Sequence, residues 1–355
     1  MTDMAGFWLI AGAAAACALP AVMLLTGRVR RYLIGRAILD VPGERSSHTR
    51  PTPRGGGLAL IPIVLLGFAA LIVSGAVAAN PAGWIVIAAM AVLALVSWID
   101  DRQGLSPVTR LIAQVGWVIV GLITLPPPGL VFQGALPHWL DWALAAALWL
   151  WFINAFNFMD GIDGITGAET AAIGVGLVLL TLAMPGLYSF GALGLLLVGA
   201  AIGFLVWNWQ PARIFLGDVG SVPLGYLLGW LLLGIATQGA WAAALILPAY
   251  YLGDATLTLL LRLCRGEKLW QAHREHFYQR AVRGGMSHRS VVIWVSLINV
   301  GLIGLAFVSL GNLTASLAAL GAAALIVAVL LWYFGRALRI AIRESLVPPP
   351  KTERK

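Results

Sequence analysis

Acidic side chains are scarce in this chain, and those present stand where a cation and phosphates would be held. Asp100-Asp101, Asp160, Asp163 and Asp218 lie at the ends of three apolar segments, beside asparagines and glycines. Adjacent carboxylates at a membrane boundary repel each other, so Asp100-Asp101 calls for a cationic neighbour; Arg110, ten residues after Asp100, supplies one. In NAFNFMDGIDGITG, Asn154 to Gly167, a continuing helix would put Asn154, Asn157 and Asp160 on one face before Gly161 and Gly164 allow a turn. Amide and carboxylate oxygens suit Mg²⁺, which keeps waters and takes substrate phosphates as further ligands. Asp218 stands between Gly217 and Gly220 in FLGDVGS, where backbone can approach a ligand closely.

Two basic stretches accompany the acids. RSSHTRPTPRGGG, Arg45 to Gly57, sets Arg45, Arg50 and Arg54 beside consecutive glycines whose N–H groups are expected to form an anion-cradling nest. No Gly-Lys-Ser/Thr follows, so it is not a Walker loop. In HREHFYQRAVRGGMSHR, His273 to Arg289, a helix would bring His273, His276 and Arg280 to one side, facing a diphosphate. Zinc is the competing ligand, but no His-Glu-x-x-His is present and neither cysteine, Cys17 or Cys264, is placed to help. Each motif alone also reads as a turn, a helix cap or a lipid-facing basic loop. Their weight comes from lying together.

The elements that must gather them are membrane helices. Only 11% of the 355 residues are charged and 60% are apolar, with a mean hydropathy of +0.89, which excludes an ordinary soluble domain. Runs of membrane-spanning length occur at about 6–27, 57–79, 83–99, 111–125, 142–158, 166–184, 190–208, 221–236, 240–261, 291–310 and 315–334. The expected fold is therefore an all-α polytopic membrane protein of about 11 transmembrane helices. All 23 Lys and Arg residues fall in alternate loops, which orients the chain with its N-terminus outside and its C-terminus cytoplasmic. The first span has no basic n-region and is followed by Arg28, Arg30 and Arg31, as suits a retained anchor rather than a cleaved signal peptide. Residues 1–355 then form a single transmembrane catalytic domain whose cytoplasmic loops are 28–56, 100–110, 157–167, 211–221 and 262–290. Arg336, Arg339 and Arg343 suggest a lipid-surface helix before Pro348-Pro349-Pro350. Asp254 and Glu169, inside spans, are expected to be buried and hydrogen-bonded.

In order, PTPRGGG, the Asp-Asp pair with its basic residue, NAFNFMDGIDG, FLGDVGS and a late His-x-x-His resemble the motifs of the polyprenyl-phosphate N-acetylhexosamine-1-phosphate transferases, often called glycosyltransferase family 4. The resemblance covers about residues 28–290. It implies transfer of a sugar 1-phosphate from a UDP-N-acetylhexosamine to a polyprenyl phosphate in a bacterial cytoplasmic membrane, releasing UMP and starting cell-wall or surface-polysaccharide assembly. It further implies that Asn157 and Asp218 hold Mg²⁺, for which Mn²⁺ can substitute, and that Asp163 contacts the uracil, with Asp160 in the same substrate-binding motif. Asp100 would act on the lipid phosphate, Asp101 would support the site and Arg110 would bind phosphate. Arg50, Arg54 and the segment carrying His273, His276 and Arg280 would close over the nucleotide sugar. Members often carry His-x-His, whereas Arg274 and Glu275 separate the two histidines here. No nucleic-acid partner is expected, and a homodimer is left open. The reading from a different class, a transporter or lipid flippase, calls for mid-bilayer polar residues in matching halves; here they collect at one face without an apparent repeat.

Overall fold

Inside a bilayer an apolar segment can satisfy its backbone groups only within itself, so helix follows helix along this chain. The computed structural model describes residues 4–43, 50–78, 80–268, 271 and 273–345. Its helices are α1 (Met4–Gly35), α2 (Gly57–Val73), α3 (Pro81–Gln103), α4 (Pro107–Leu122), α5 (His138–Phe158), α6 (Ile165–Ala183), α7 (Tyr188–Asn208), α8 (Asp218–Thr237), α9 (Trp241–Ile246), α10 (Ala249–Cys264), α11 (Phe277–Arg283), α12 (His288–Val308) and α13 (Leu313–Ser345). Among the described residues eight helices are long and apolar enough to cross a membrane, and α2 and α4 are shorter apolar helices. The chain is a multi-pass, all-helical membrane protein.

Every apolar segment read from the sequence coincides with a helix, with one difference. The segment 240–261 is two helices, α9 and α10, separated at Leu247-Pro248. Pro248 lacks a donor for the helical ladder and its ring crowds the preceding turn, which accounts for the break. One small ladder departs from an all-α chain: β1 (Leu39–Asp40) pairs antiparallel with β2 (Thr52–Pro53). Residues 44–49, including Arg45, and 346–355, with the triple proline, lie outside the described residues, as do the side chains of Arg339 and Arg343.

The packing centre is α8. From Val219 to Thr237 every residue is buried, as expected of a helix that is apolar all round. Helices approach it where glycine leaves room: a Cβ at Gly229 would stand 2.4 Å from Trp149 of α5, and one at Gly57 only 2.3 Å from the backbone of Gly220. Small residues serve the same purpose between α1 and α7, where Gly199 and Gly203 lie against the carbonyls of Ala15 and Leu19. These close approaches set how near α2 and α5 come to α8, and so the spacing of the loops at their ends. At one end Asp141 is fully buried, accepting from the N–H groups of Val131 (3.0 Å) and Phe132 (2.9 Å). The acid-bearing motifs meet at the other end.

Candidate functional site

Arg54 and Arg110 join motifs that are far apart in sequence. Arg54 Nη2 lies 2.5 Å from Asp218 Oδ1 and 3.0 Å from Asp101 Oδ1. Arg110 Nη1 lies 2.9 Å from Asp100 Oδ2 and 3.6 Å from Asp218 Oδ2. Asp218 thus stands between two guanidiniums, and each of these also holds one member of the Asp100-Asp101 pair. That pair has the cationic neighbours its repulsion requires. The side chains of Asp101 and Asp100 are only 5% and 9% exposed, whereas those of Arg54 and Arg110 are 42% and 39% exposed. The acids form the floor and the arginines face outward, so an arriving anion meets positive charge first. Loss of hydration on burial disfavours the Arg54 charge, but Asp218 and Asp101 outweigh that and raise its pKa above the ordinary arginine value.

Local structure explains the placement. α3 ends at Gly104 in the left-handed region (φ 69°), a conformation glycine adopts without strain. Asp100 Oδ1 accepts from the Leu105 N–H at 2.7 Å. Ser106 then caps α4 by accepting from Thr109 N–H at 3.1 Å, with Pro107 in the first turn. This turn folds Arg110 back onto Asp100.

The glycine run does not form the expected anion nest. The N–H groups of Gly55 and Gly56 donate to Phe215 O (3.1 and 2.8 Å), and that of Gly57 donates to Leu216 O (2.9 Å). Their donors are consumed in joining the Arg54 segment to the Asp218 loop, and lost Cβ atoms allow the contact: one at Gly56 would meet Phe204 at 2.5 Å. Arg50 is exposed, two residues before β2.

α5 stops at Phe158, so Asn154 and Asn157 are helical and Asp160 lies in the following turn. Asn157 donates to Ser221 Oγ at 2.8 Å, and Asn154 to Gln114 Oε1 at 2.8 Å. Asp160 is half-buried; loss of hydration pushes its carboxyl up to about 7, against the opposing pull of a Thr166 hydrogen bond and of Arg54. Asp163 is buried, 7% exposed. Its Oδ2 accepts from Ala212 N–H at 3.0 Å, and its Oδ1 lies 3.2 Å from His288 Nδ1.

The histidine stretch is not one helix. His273 is in irregular chain and His276 immediately precedes α11, because Asp254 of α10 accepts from the Phe277 and Tyr278 N–H groups (2.8 and 3.0 Å) and fixes the helix start there. Burial, then the neighbouring His276 and Arg262, push His273 down to about 4, so it is neutral at pH 7. Arg280 turns to the Glu275 carbonyl (2.7 Å) and stacks on Phe277 (4.7 Å); burial lowers its pKa. Asp254 and Glu169 are both buried and hydrogen-bonded, as expected.

A cavity of about 430 Å³ opens among these groups. Asp100, Arg110, Asn157, Asp218, His273 and His276 line it. Asp101 and Arg54 adjoin it through Asp218; Asp160, Asp163, Arg50 and Arg280 are not among its lining residues. Gln114, Gln271 and Gln279 also line the cavity and escaped the sequence reading. A lone glutamine in an apolar span was a signal for the first, whereas nothing local distinguishes the other two. His288, the partner of Asp163, was hidden in the same way.

Among the described residues no three His, Cys, Asp or Glu side chains form a ready metal cage. Asn157 and Asp218 nevertheless bring oxygen to one cavity. One carboxylate and one amide fit Mg²⁺, whose remaining positions fall to water and phosphate.

Residues 83–236 match glycosyl transferase family 4. The chain is 30% identical to the decaprenyl-phosphate N-acetylglucosaminephosphotransferase of Mycolicibacterium smegmatis, over 78% of this chain and 77% of that protein. It is 28% identical to a probable undecaprenyl-phosphate N-acetylglucosaminyl 1-phosphate transferase of Bacillus subtilis, over 78% of each. It is 35% identical to a phospho-N-acetylmuramoyl-pentapeptide-transferase of a Synechococcus strain, over 62% of this chain and 66% of that protein.

Proposed function

This chain belongs to glycosyl transferase family 4, and from that premise we propose that it transfers an N-acetylhexosamine 1-phosphate from a UDP-sugar to a polyprenyl phosphate. The products are UMP and a lipid-linked diphosphate sugar, the starting unit of a cell-wall or surface polysaccharide. The observation that carries this reading is the double arginine bridge, in which Arg54 and Arg110 meet over Asp218 with their outer sides exposed. Two polyanionic substrates repel, and guanidiniums aimed at the same place offset that charge and orient both phosphates.

Arg110 receives the lipid phosphate and Asp100 sets its direction, since Asp100 Oδ2 holds the guanidinium while Oδ1 is fixed on backbone. A phosphate monoester with a second pKa of about 6 is already largely ionised at neutral pH, so Asp100 needs little basicity. Asp101 supports Arg54 and accepts from Val219 N–H at 3.2 Å at the start of α8. Asn157 and Asp218 are the residues that would hold Mg²⁺, with Mn²⁺ as a substitute. When bound, the ion supplies positive charge to the phosphate oxygens. Asp160 and Asp163 order the turn assigned to the nucleotide, and Arg50, His273, His276 and Arg280 belong to the loops that approach the donor.

The same reading gives eleven crossings in a bacterial cytoplasmic membrane, the N-terminus outside and the acid-bearing end inside. Polyprenyl phosphate keeps its headgroup at the interface and UDP-sugars are cytosolic, so both substrates reach that end. UMP release by purified protein, polyprenyl phosphate and a panel of UDP-sugars tests the proposal. Release with a UDP-N-acetylhexosamine, abolished by chelator and restored by Mg²⁺, is the expected result; none with any UDP-sugar refutes it.

A further inference from the structure

Asp254 is fully buried in α10, yet it carries more polar contacts than capping a helix requires. Besides the two α11 N–H groups, it accepts from Tyr250 OH and Thr258 Oγ1, each at 3.2 Å, and its Oδ1 lies 3.3 Å from His276 Nδ1. A carboxylate has only lone pairs to offer, so this contact is a hydrogen bond when the imidazole presents Nδ1–H to it. That leaves the opposite ring nitrogen, Nε2, as the atom available to the cavity, which His276 lines although only 3% of the residue is exposed.

The ring has little freedom to turn otherwise. Phe158 and Tyr278 stack near it at 6.3 and 5.8 Å, with interplanar angles of 30° and 14°, and His273 packs 4.9 Å away. Tyr278 OH donates in turn to Phe158 O at 3.0 Å and lies so close to Gly161 that a Cβ there would be 2.1 Å away. The segment held by Asp254 is therefore docked on the Asn157–Gly161 turn at the edge of the cavity.

We propose that Asp254 is a positioning residue for the transferase: its carboxylate fixes His276 with Nδ1–H inward and Nε2 toward the donor's diphosphate. The inference rests on the transferase reading for what Nε2 meets, but the orientation of the ring is independent of it. Asp254 touches no substrate and acts through His276 and the start of α11.

Two measurements on the full-length protein test it. In ¹⁵N-histidine-labelled wild-type protein, with the His276 signals identified by their loss in His276→Gln, Nδ1 should carry a proton at neutral pH; a bare Nδ1 overturns the proposal whatever reaction is catalysed. In the UMP-release assay His276→Gln should lower kcat on the order of tenfold or more. Asp254→Asn should lower it less when alone and add under threefold to the His276→Gln variant, since its effect passes through a ring already removed. Multiplying effects in the double variant would mean that Asp254 serves only the fold, and so would contradict the proposal. If wild-type protein releases no UMP, the transferase reading fails while the nitrogen signals still decide the ring. If Asp254→Asn does not fold, the wild-type signals decide the question without it.

Discussion

Single side chains in this site divide into those that hold and those that face outward. Asp218 does both: it binds two arginines and lines the cavity. Asp218→Asn should keep the protein folded in detergent while lowering turnover by about 10² or more, as for loss of the carboxylate that holds the cationic groups meeting the phosphates; full activity would remove it from the site. Asp100→Asn keeps an oxygen for the Leu105 N–H but loses the charge that directs Arg110. It should lower single-turnover UMP release by about 10² or more while calorimetric binding of the UDP-sugar persists, and loss of that binding would move Asp100 to the donor side. His273 gives a pH test with a definite sign. Its pKa is about 4 when folded against about 6.5 in an unfolded chain, so between these values the unfolded state binds more protons and stability rises with pH. Thermal melts of wild type should therefore fall more steeply than those of His273→Gln as pH drops from about 6.5 to 4.5, and parallel curves would contradict the assignment.

At the scale of elements, what the sequence revealed and what it hid have different physical origins. Membrane helices are written in composition, because roughly twenty consecutive apolar residues suffice to span lipid, and each expected segment is helical. Contacts between distant segments are not written locally. The glycines of the Arg54 stretch looked like an anion cradle, but their N–H groups pair with the Phe215-Leu216 backbone. His276 looked helical, but Asp254, 22 residues earlier, begins the helix one residue later. Leu187, between the apolar segments 166–184 and 190–208, is only 1% exposed, since an apolar residue between two helices can fold back onto them. Close helix approach gives the corresponding test. Gly57→Ala would press a methyl against Gly220 backbone, whereas nothing lies within 4 Å of a Cβ at Gly12 in α1. The first should cost about 1–3 kcal/mol and visibly lower the melting temperature in detergent, with the second close to wild type. Equal melting temperatures would mean that α2 and α8 are not so tightly apposed.

For the whole molecule, the distribution of charge and the meeting of the motifs point the same way. In sequence, all 23 basic residues fall between or beyond the apolar segments on alternate sides, and Arg54 and Arg110 bridge Asp100, Asp101 and Asp218. A transporter would need its polar residues along a path through the bilayer, whereas these acids gather at one end of the bundle. Sidedness is testable in a background with Cys17 and Cys264 replaced by serine. A membrane-impermeant thiol reagent on intact cells should label Gly186→Cys and spare Ser287→Cys, both exposed positions; the reverse would turn the site outward. The central claim, that the bond broken lies between the two phosphates of the donor, is tested most directly by following the β-phosphorus. With UDP-N-acetylglucosamine labelled at the β-phosphate and polyprenyl phosphate as acceptor, label should pass into the lipid extract in step with the appearance of unlabelled UMP. Label retained in water-soluble UDP while sugar enters the lipid would mean ordinary glycosyl transfer and would contradict the account.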